Sequence, residues 1–155
     1  MQQLTMPQSR RNWISNRISR LENDITDRNR QINILDENID TLTTQNRAIS
    51  LILDTTSHHN IAIAVGHSVF LRDFRGDNRQ RLDEKLEEMR EALRRQRTVH
   101  QDNRTVISNR VDRLRSERRE LQGNNSRDSS EITRLRAEWR LGNLGFGFPN
   151  TPSFL

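Results

Sequence analysis

The sequence predicts an all-α protein: an elongated antiparallel helical hairpin of coiled-coil type, with an apolar tip, a short third helix and an irregular aromatic C-terminal tail. Three observations carry this. Aliphatic residues follow a seven-residue repeat over residues 14–53. The chain is 31% hydrophobic and 30% charged, too polar for a thick core but sufficient for helices that bury one stripe. Folding the chain back on itself brings opposite charges together along its length.

With Ile18 at position a, the a sites are Ile18, Ile25, Ile32, Ile39, Asn46 and Leu53, and the d sites are Ile14, Leu21, Arg28, Leu35, Leu42 and Ile49. A repeat sustained over this many heptads makes helices supercoil, since a straight helix would rotate its stripe away from the partner. Ile18, Leu21, Ile25, Ile32, Leu35, Ile39, Leu42 and Ile49 are the expected self-association seam. Arg28 and Asn46 interrupt it as register devices, costing stability while excluding shifted alignments.

Residues 1–6 form an N-terminal arm. The first long helix spans 7–56, with Pro7 in its first turn and Thr5 or Ser9 as its N-cap; it is a rod of roughly 75 Å at a rise of 1.5 Å per residue. Residues 57–76 change character. Ile61, Ile63 and Val65 alternate with alanines before Gly66-His67, which favours an apolar tip or a β-turn over continuous helix. Asp77 and Gln80 have capping-box spacing and open the second helix over 77–122. Its seam reads Leu82, Leu86, Met89 and Leu93, weakens through Gln96, His100 and Asn103, and recovers at Val106, Ile107, Val111, Leu114 and Leu121. Gly123-Asn124-Asn125-Ser126 reads as a break. A short helix follows over 128–141, then a Gly- and Pro-rich tail over 142–155.

A turn centred near residue 67 would place residue x opposite 134 − x. Glu22, Asp24 and Asp27 would then meet Arg104, Arg110 and Arg113, while Arg17 and Arg20 would meet Glu117 and Glu120. The aliphatic a/d seam also favours association between copies, and two hairpins joined through their first helices would form a four-helix bundle.

Charge adds a second reading. The formal net charge of +5 lies wholly in residues 61–155, and the segment from Arg94 to Arg119 holds nine Arg against Asp102, Asp112 and Glu117. Such a stripe is suited to nucleic-acid phosphates, with Arg104, Arg113 and Arg118 as candidate contacts. It equally suits pairing with the first helix, and it carries no aromatic platforms for unstacked bases.

No catalytic residue, metal site, cofactor or small-molecule substrate is expected. The chain has no Cys or Tyr, no Gly-rich phosphate loop, and no Ser, His and acid arrangement that a thin coiled coil could enclose. His58, His59, His67 and His100 read as solvated or seam-layer residues. The N-terminus lacks the apolar core of a signal peptide and no stretch has the roughly 18 apolar residues of a membrane span. The expectation is a soluble protein, intracellular or within an assembled particle.

The tail carries Leu144, Phe146, Phe148, Phe154 and Leu155, with Phe146, Phe148, Phe154 and Leu155 as the docking candidates. The functional expectation is a structural or assembly protein: a rod or adaptor that self-associates and docks with other proteins of a larger assembly, of virion or secretion type. The alternative is a nucleic-acid-binding helical protein.

Overall fold

The computed structural model describes residues 6–70 and 76–143, with side chains over 6–64 and 76–142. Two long helices make up nearly all of it: α1 (Gln8–Phe70, 63 residues) and α2 (Asp77–Asn143, 67 residues), with no strand among the described residues.

The Pro7 carbonyl accepts from the Arg10 and Arg11 amides at 3.0 and 3.2 Å and so begins α1. Proline suits that position because its fixed φ is preorganised and it has no N–H to leave unpaired. Ser9 already lies within the helix and is not its cap; Thr5 lies outside the described residues. The helix does not end at residue 56. It continues to Phe70, so no β-tip forms over 57–70. The heptad explains why, for the a/d phase carries on past Leu53 with Thr56 buried and Asn60 and Ile63 half-buried. Continued packing along the seam, aided by the alanines, outweighs the β preference of the isoleucines.

The reversal lies nearer Gly76, which has φ of +71°. Only glycine adopts that backbone cheaply. Its carbonyl accepts from Arg79 N at 3.0 Å and Gln80 N at 3.4 Å, so Gly76 rather than Asp77 opens α2. Asp77 instead sits in the first turn, where its charge complements the helix dipole. Gln80 does not reach back as a capping box requires; its Nε2 donates forward to Glu84 Oε1 at 3.1 Å.

No break occurs at Gly123-Ser126 and no separate third helix exists: α2 is continuous to Asn143. Glycine, two asparagines and a serine cost roughly 2–3 kcal/mol of helix propensity relative to alanine. Contacts with α1 offset that cost, as Asn125 accepts from Arg28 Nε at 2.7 Å and donates to Asn29 Oδ1 at 2.8 Å. The first two residues assigned to the tail, Gly142 and Asn143, belong to α2; Leu144, Phe146, Phe148, Phe154 and Leu155 lie outside the described residues.

The two helical glycines should respond oppositely to alanine. A Cβ at Gly123 would meet nothing within 4 Å, so Gly123→Ala is expected to raise stability by about 0.5–1 kcal/mol through lower unfolded-state entropy. A Cβ at Gly142 would stand 2.9 Å from Met6 Cβ and also strike the end of that side chain. Met6 N donates to Gly142 O at 3.5 Å, which ties the start of the chain to this point. Gly142→Ala should therefore destabilise, and urea denaturation of both variants would read the two signs.

The chain divides into two compact units, one of Met1–Asp36 with Ser116–Leu155, the other Glu37–Arg115. In the first, Met6, Ile14, Leu21, Ile132 and Leu135 form a core against which Ile18, Ile25 and Trp139 pack. In the second, Ile39, Leu53, Val111 and Leu114 are buried, together with Thr56, whose hydroxyl donates to the Ile52 carbonyl at 2.8 Å. The helices run antiparallel within each unit. Arg10 lies beside Glu138 and Arg17 beside Glu131 in the first; Asn46 lies beside Ser108 in the second, where Ile63 and Met89 share a groove.

These partners have residue numbers summing to roughly 148–154 rather than 134. The expected antiparallel sense is present but its register is displaced by about five helical turns of paired sequence. Glu22 pairs with Arg136 at 2.6 Å, not with Arg104–Arg113, and Arg17 pairs with Glu131, not Glu117. The cause is the position of the reversal, near Gly76 instead of Gly66-His67. Charges recur so often along both helices that a displaced register is complementary as well.

Candidate functional site

All twelve a/d positions of α1 are buried or half-buried. Leu21, Leu35 and Ile39 are buried, while Ile18, Ile25, Ile32, Leu42 and Ile49 are half-buried. This seam is occupied within the chain by α2. Its counterpart on α2 is a second seven-residue series that runs from Leu86 through Leu93, His100, Ile107, Leu114, Leu121 and Asp128 to Leu135, each of them buried or half-buried. The second series passes straight through the supposed break at Gly123. Following its phase from Leu86 to Leu135 would have revealed the single helix from sequence.

The two polar seam residues differ in how well they are satisfied. Arg28 Nε donates to Asn125, and its Nη2 pairs with Asp128 Oδ2, both side chains of that ion pair being about one-fifth exposed. Asn46 Nδ2 donates to Ser108 Oγ at a long 3.4 Å, and its Oδ1 has no hydrogen-bond partner. His100 Nδ1, also half-buried in the second unit, has none either. An unsatisfied buried polar atom costs about 1–3 kcal/mol, and both units carry such atoms among the described residues, since Arg11 Nε and Arg118 Nε in the first unit also lack a hydrogen bond.

Among the described residues, the first unit has five ion pairs between helices: Arg10–Glu138, Arg17–Glu131, Arg28–Asp128, Arg118–Asp36 and Arg136–Glu22. The Arg17 hydrogen bond holds the Glu131 carboxyl below its ordinary range, and the same bond raises the Arg17 guanidinium. The Arg10 guanidinium also lies 4.3 Å from the centre of the Trp13 ring, a cation–π contact that leaves Trp13 about half exposed.

Of the candidate phosphate contacts, Arg118 is already engaged with Asp36 at 3.0 Å, and Arg113 Nε donates to the Asn109 carbonyl of its own helix at 3.3 Å. Arg104 is exposed beside Gln101, Thr105, Ser108 and Asn109. Arg97, Arg104 and Arg110 have no anionic partner among the described residues. Pairing with the first helix therefore does not account for the basic stripe in the second unit. His58 and His59 are exposed on α1 and the His67 side chain lies outside the described residues.

The second unit also exposes apolar surface. Met89, Val99 and Val106 are 52%, 55% and 63% exposed, and they lie on an α2 stripe completed by the exposed residues Ala92, Gln96 and Asn103. Met89, Gln96, Asn103 and Val106, expected in the intrachain seam, thus belong to a different face. Spacing of 3, 4, 3, 4 and 3 residues makes this a second heptad stripe. On α1 the exposed residues Ala48, Ile52, Thr55, His59 and Ala62 repeat the same pattern. Ile52, Thr55, His59 and Ala62 of the α1 stripe and Met89, Ala92 and Gln96 of the α2 stripe border an open groove. His59, Ala62, Ile63, Met89, Ala92 and Leu93 line one stretch, and Ile52, Thr55, Thr56, Leu93 and Gln96 border the next.

Among the described residues no His and acidic side chains gather as a group that could hold a metal ion, and no helix is long and apolar enough to cross a membrane. No protein-family model, curated protein or solved structure matches the chain.

Proposed function

We propose that this protein is a non-enzymatic structural or assembly component, a coiled-coil adaptor that self-associates and joins a larger assembly. The carrying observation is the second unit's apolar groove, where two helices already paired through one heptad seam present a further exposed heptad stripe each. Helices whose only requirement is to bury one stripe have no reason to repeat it on a second face, and contiguous exposed apolar surface marks association sites. The aromatic tail, Phe146, Phe148, Phe154 and Leu155, supplies a second docking element for other proteins of the assembly.

The second reading, nucleic-acid binding through α2, draws on Arg97, Arg104 and Arg110, which no intrachain acid neutralises among the described residues. Titration with duplex DNA and duplex RNA at 50 and 200 mM salt separates the two, because phosphate neutralisation releases counterions and gives a steep salt slope. The assembly reading expects only weak attraction at the lower salt. Tight binding whose slope flattens in an Arg104→Gln/Arg113→Gln variant would replace it with the nucleic-acid reading.

A further inference from the structure

The exposed stripe on the second unit is a self-complementary site: we infer that it takes the same face of a second copy of this chain, antiparallel and related by a two-fold axis. This inference rests on the assembly reading and specifies its partner and geometry.

Spacing is the first argument. The α2 stripe Met89, Ala92, Gln96, Val99, Asn103 and Val106 reads the same in both directions. An antiparallel copy therefore sets Met89 opposite Val106, Ala92 opposite Asn103 and Gln96 opposite Val99, so that each large apolar residue at an end meets another. The α1 stripe is centred on Thr55, and Thr55 and Gln96 border the same groove. Both stripes are thus centred near one level, close to a single two-fold axis as an isologous interface requires, although the α1 stripe, spaced 4, 3, 4 and 3, does not itself read the same in both directions.

Charge is the second argument, and it sets direction. From residue 84 to 91, α2 carries Glu84, Glu87, Glu88 and Glu91 against Lys85 and Arg90; from 94 to 115 it carries seven Arg against Asp102 and Asp112. A parallel copy would lay acid on acid and base on base. An antiparallel copy lays the acidic segment on the partner's basic one and brings Glu91 opposite Arg104, an arginine with no anionic partner in its own chain among the described residues. Flanking charges of this kind select orientation in helix bundles. The resulting four-helix arrangement would cover Ile52, Met89, Val99 and Val106, which are otherwise 41–63% exposed.

Sedimentation equilibrium on the full chain over a hundredfold concentration range tests the inference. The wild type should approach twice 18.3 kDa. Ile52→Glu/Val99→Glu, at two exposed positions, should stay monomeric at every concentration while keeping its helical circular dichroism. Glu91→Arg should weaken the dimer, and Glu91→Arg/Arg104→Glu should restore it. That rescue is specific to the antiparallel arrangement, since in a parallel dimer each residue faces itself and the double change repairs nothing. The chain has no cysteine, so mixed Glu91→Cys and Arg104→Cys chains should also cross-link to each other and not to themselves. A wild type that is monomeric throughout overturns both this site and the self-association in the assembly reading. A dimer that survives Ile52→Glu/Val99→Glu, or a charge-swap variant that is not rescued, overturns the stripe pairing alone and leaves self-association through another face standing.

Discussion

Leu135→Ala is expected to lower unfolding free energy by about 3 kcal/mol, within the range of about 2–5 for emptying a fully buried leucine site. Leu135 is 0% exposed and belongs to the core built with Ile14, Leu21 and Ile132. The loss has two parts: the transfer energy of the removed methylene and methyl groups, and the cavity left where neighbours on both helices cannot collapse fully. Leu51 is 68% exposed and is the natural control. Leu51→Ala should change stability by no more than about 0.5 kcal/mol. Chemical denaturation followed by circular dichroism reads both variants. Equal effects would mean that the first unit's core does not hold the helices together.

Asp128→Ala is expected to cost about 2 kcal/mol, because it strands the Arg28 guanidinium in a largely desolvated seam. Its remaining contact there, Asn125 at 2.7 Å, carries no charge. Arg28→Leu/Asp128→Leu should recover most of that loss, or exceed wild-type stability, since an apolar pair has no desolvation penalty to offset. The informative quantity is the difference between single and double variants. A double variant as unstable as the single would show that the polar layer stabilises the helix pair outright. A recovered double variant would leave register selection as the reason for a charge at this d position, and helix register in that variant, measured between spin labels on α1 and α2, should then become heterogeneous.

Several features of the chain were legible without its structure. The a/d series from Ile14 to Leu53 identified the buried face of α1 at all twelve positions, and Arg28 and Asn46 were recognisable as polar residues placed in that face. The antiparallel sense also holds, although the charge pairings that suggested it, such as Glu22 with Arg104, are not the ones that form. The buried face was legible because it rests on short-range physics: side chains seven residues apart share a helix face whatever lies opposite.

Local signals misled where they were weak compared with packing. The β preference of Ile61, Ile63 and Val65 and the turn preference of Gly123-Asn124-Asn125-Ser126 amount to a few kcal/mol at most, less than the neighbouring seam layers contribute by burying aliphatic side chains. Both segments are helical. A stop at Gly123 cuts the α2 series from Leu86 to Leu135 in two, and spacing alone does not separate Met89, Gln96, Asn103 and Val106 from the residues of the neighbouring face. The aromatic tail was visible as composition, but its residues lie beyond the described part of the chain.

By itself, the sequence determined that this protein is helical, which face of α1 is buried, and that its helices pair in opposite directions. Only the tertiary structure decided the register, because α1 runs on to Phe70 before α2 starts at Asp77, and a repeating charge pattern accepts several alignments at similar energy. Only the tertiary structure, too, separated the stripe that α1 and α2 bury against each other from the one they leave open. That distinction depends on which side of α2 faces α1, and a periodicity shared by two faces of one helix cannot carry it.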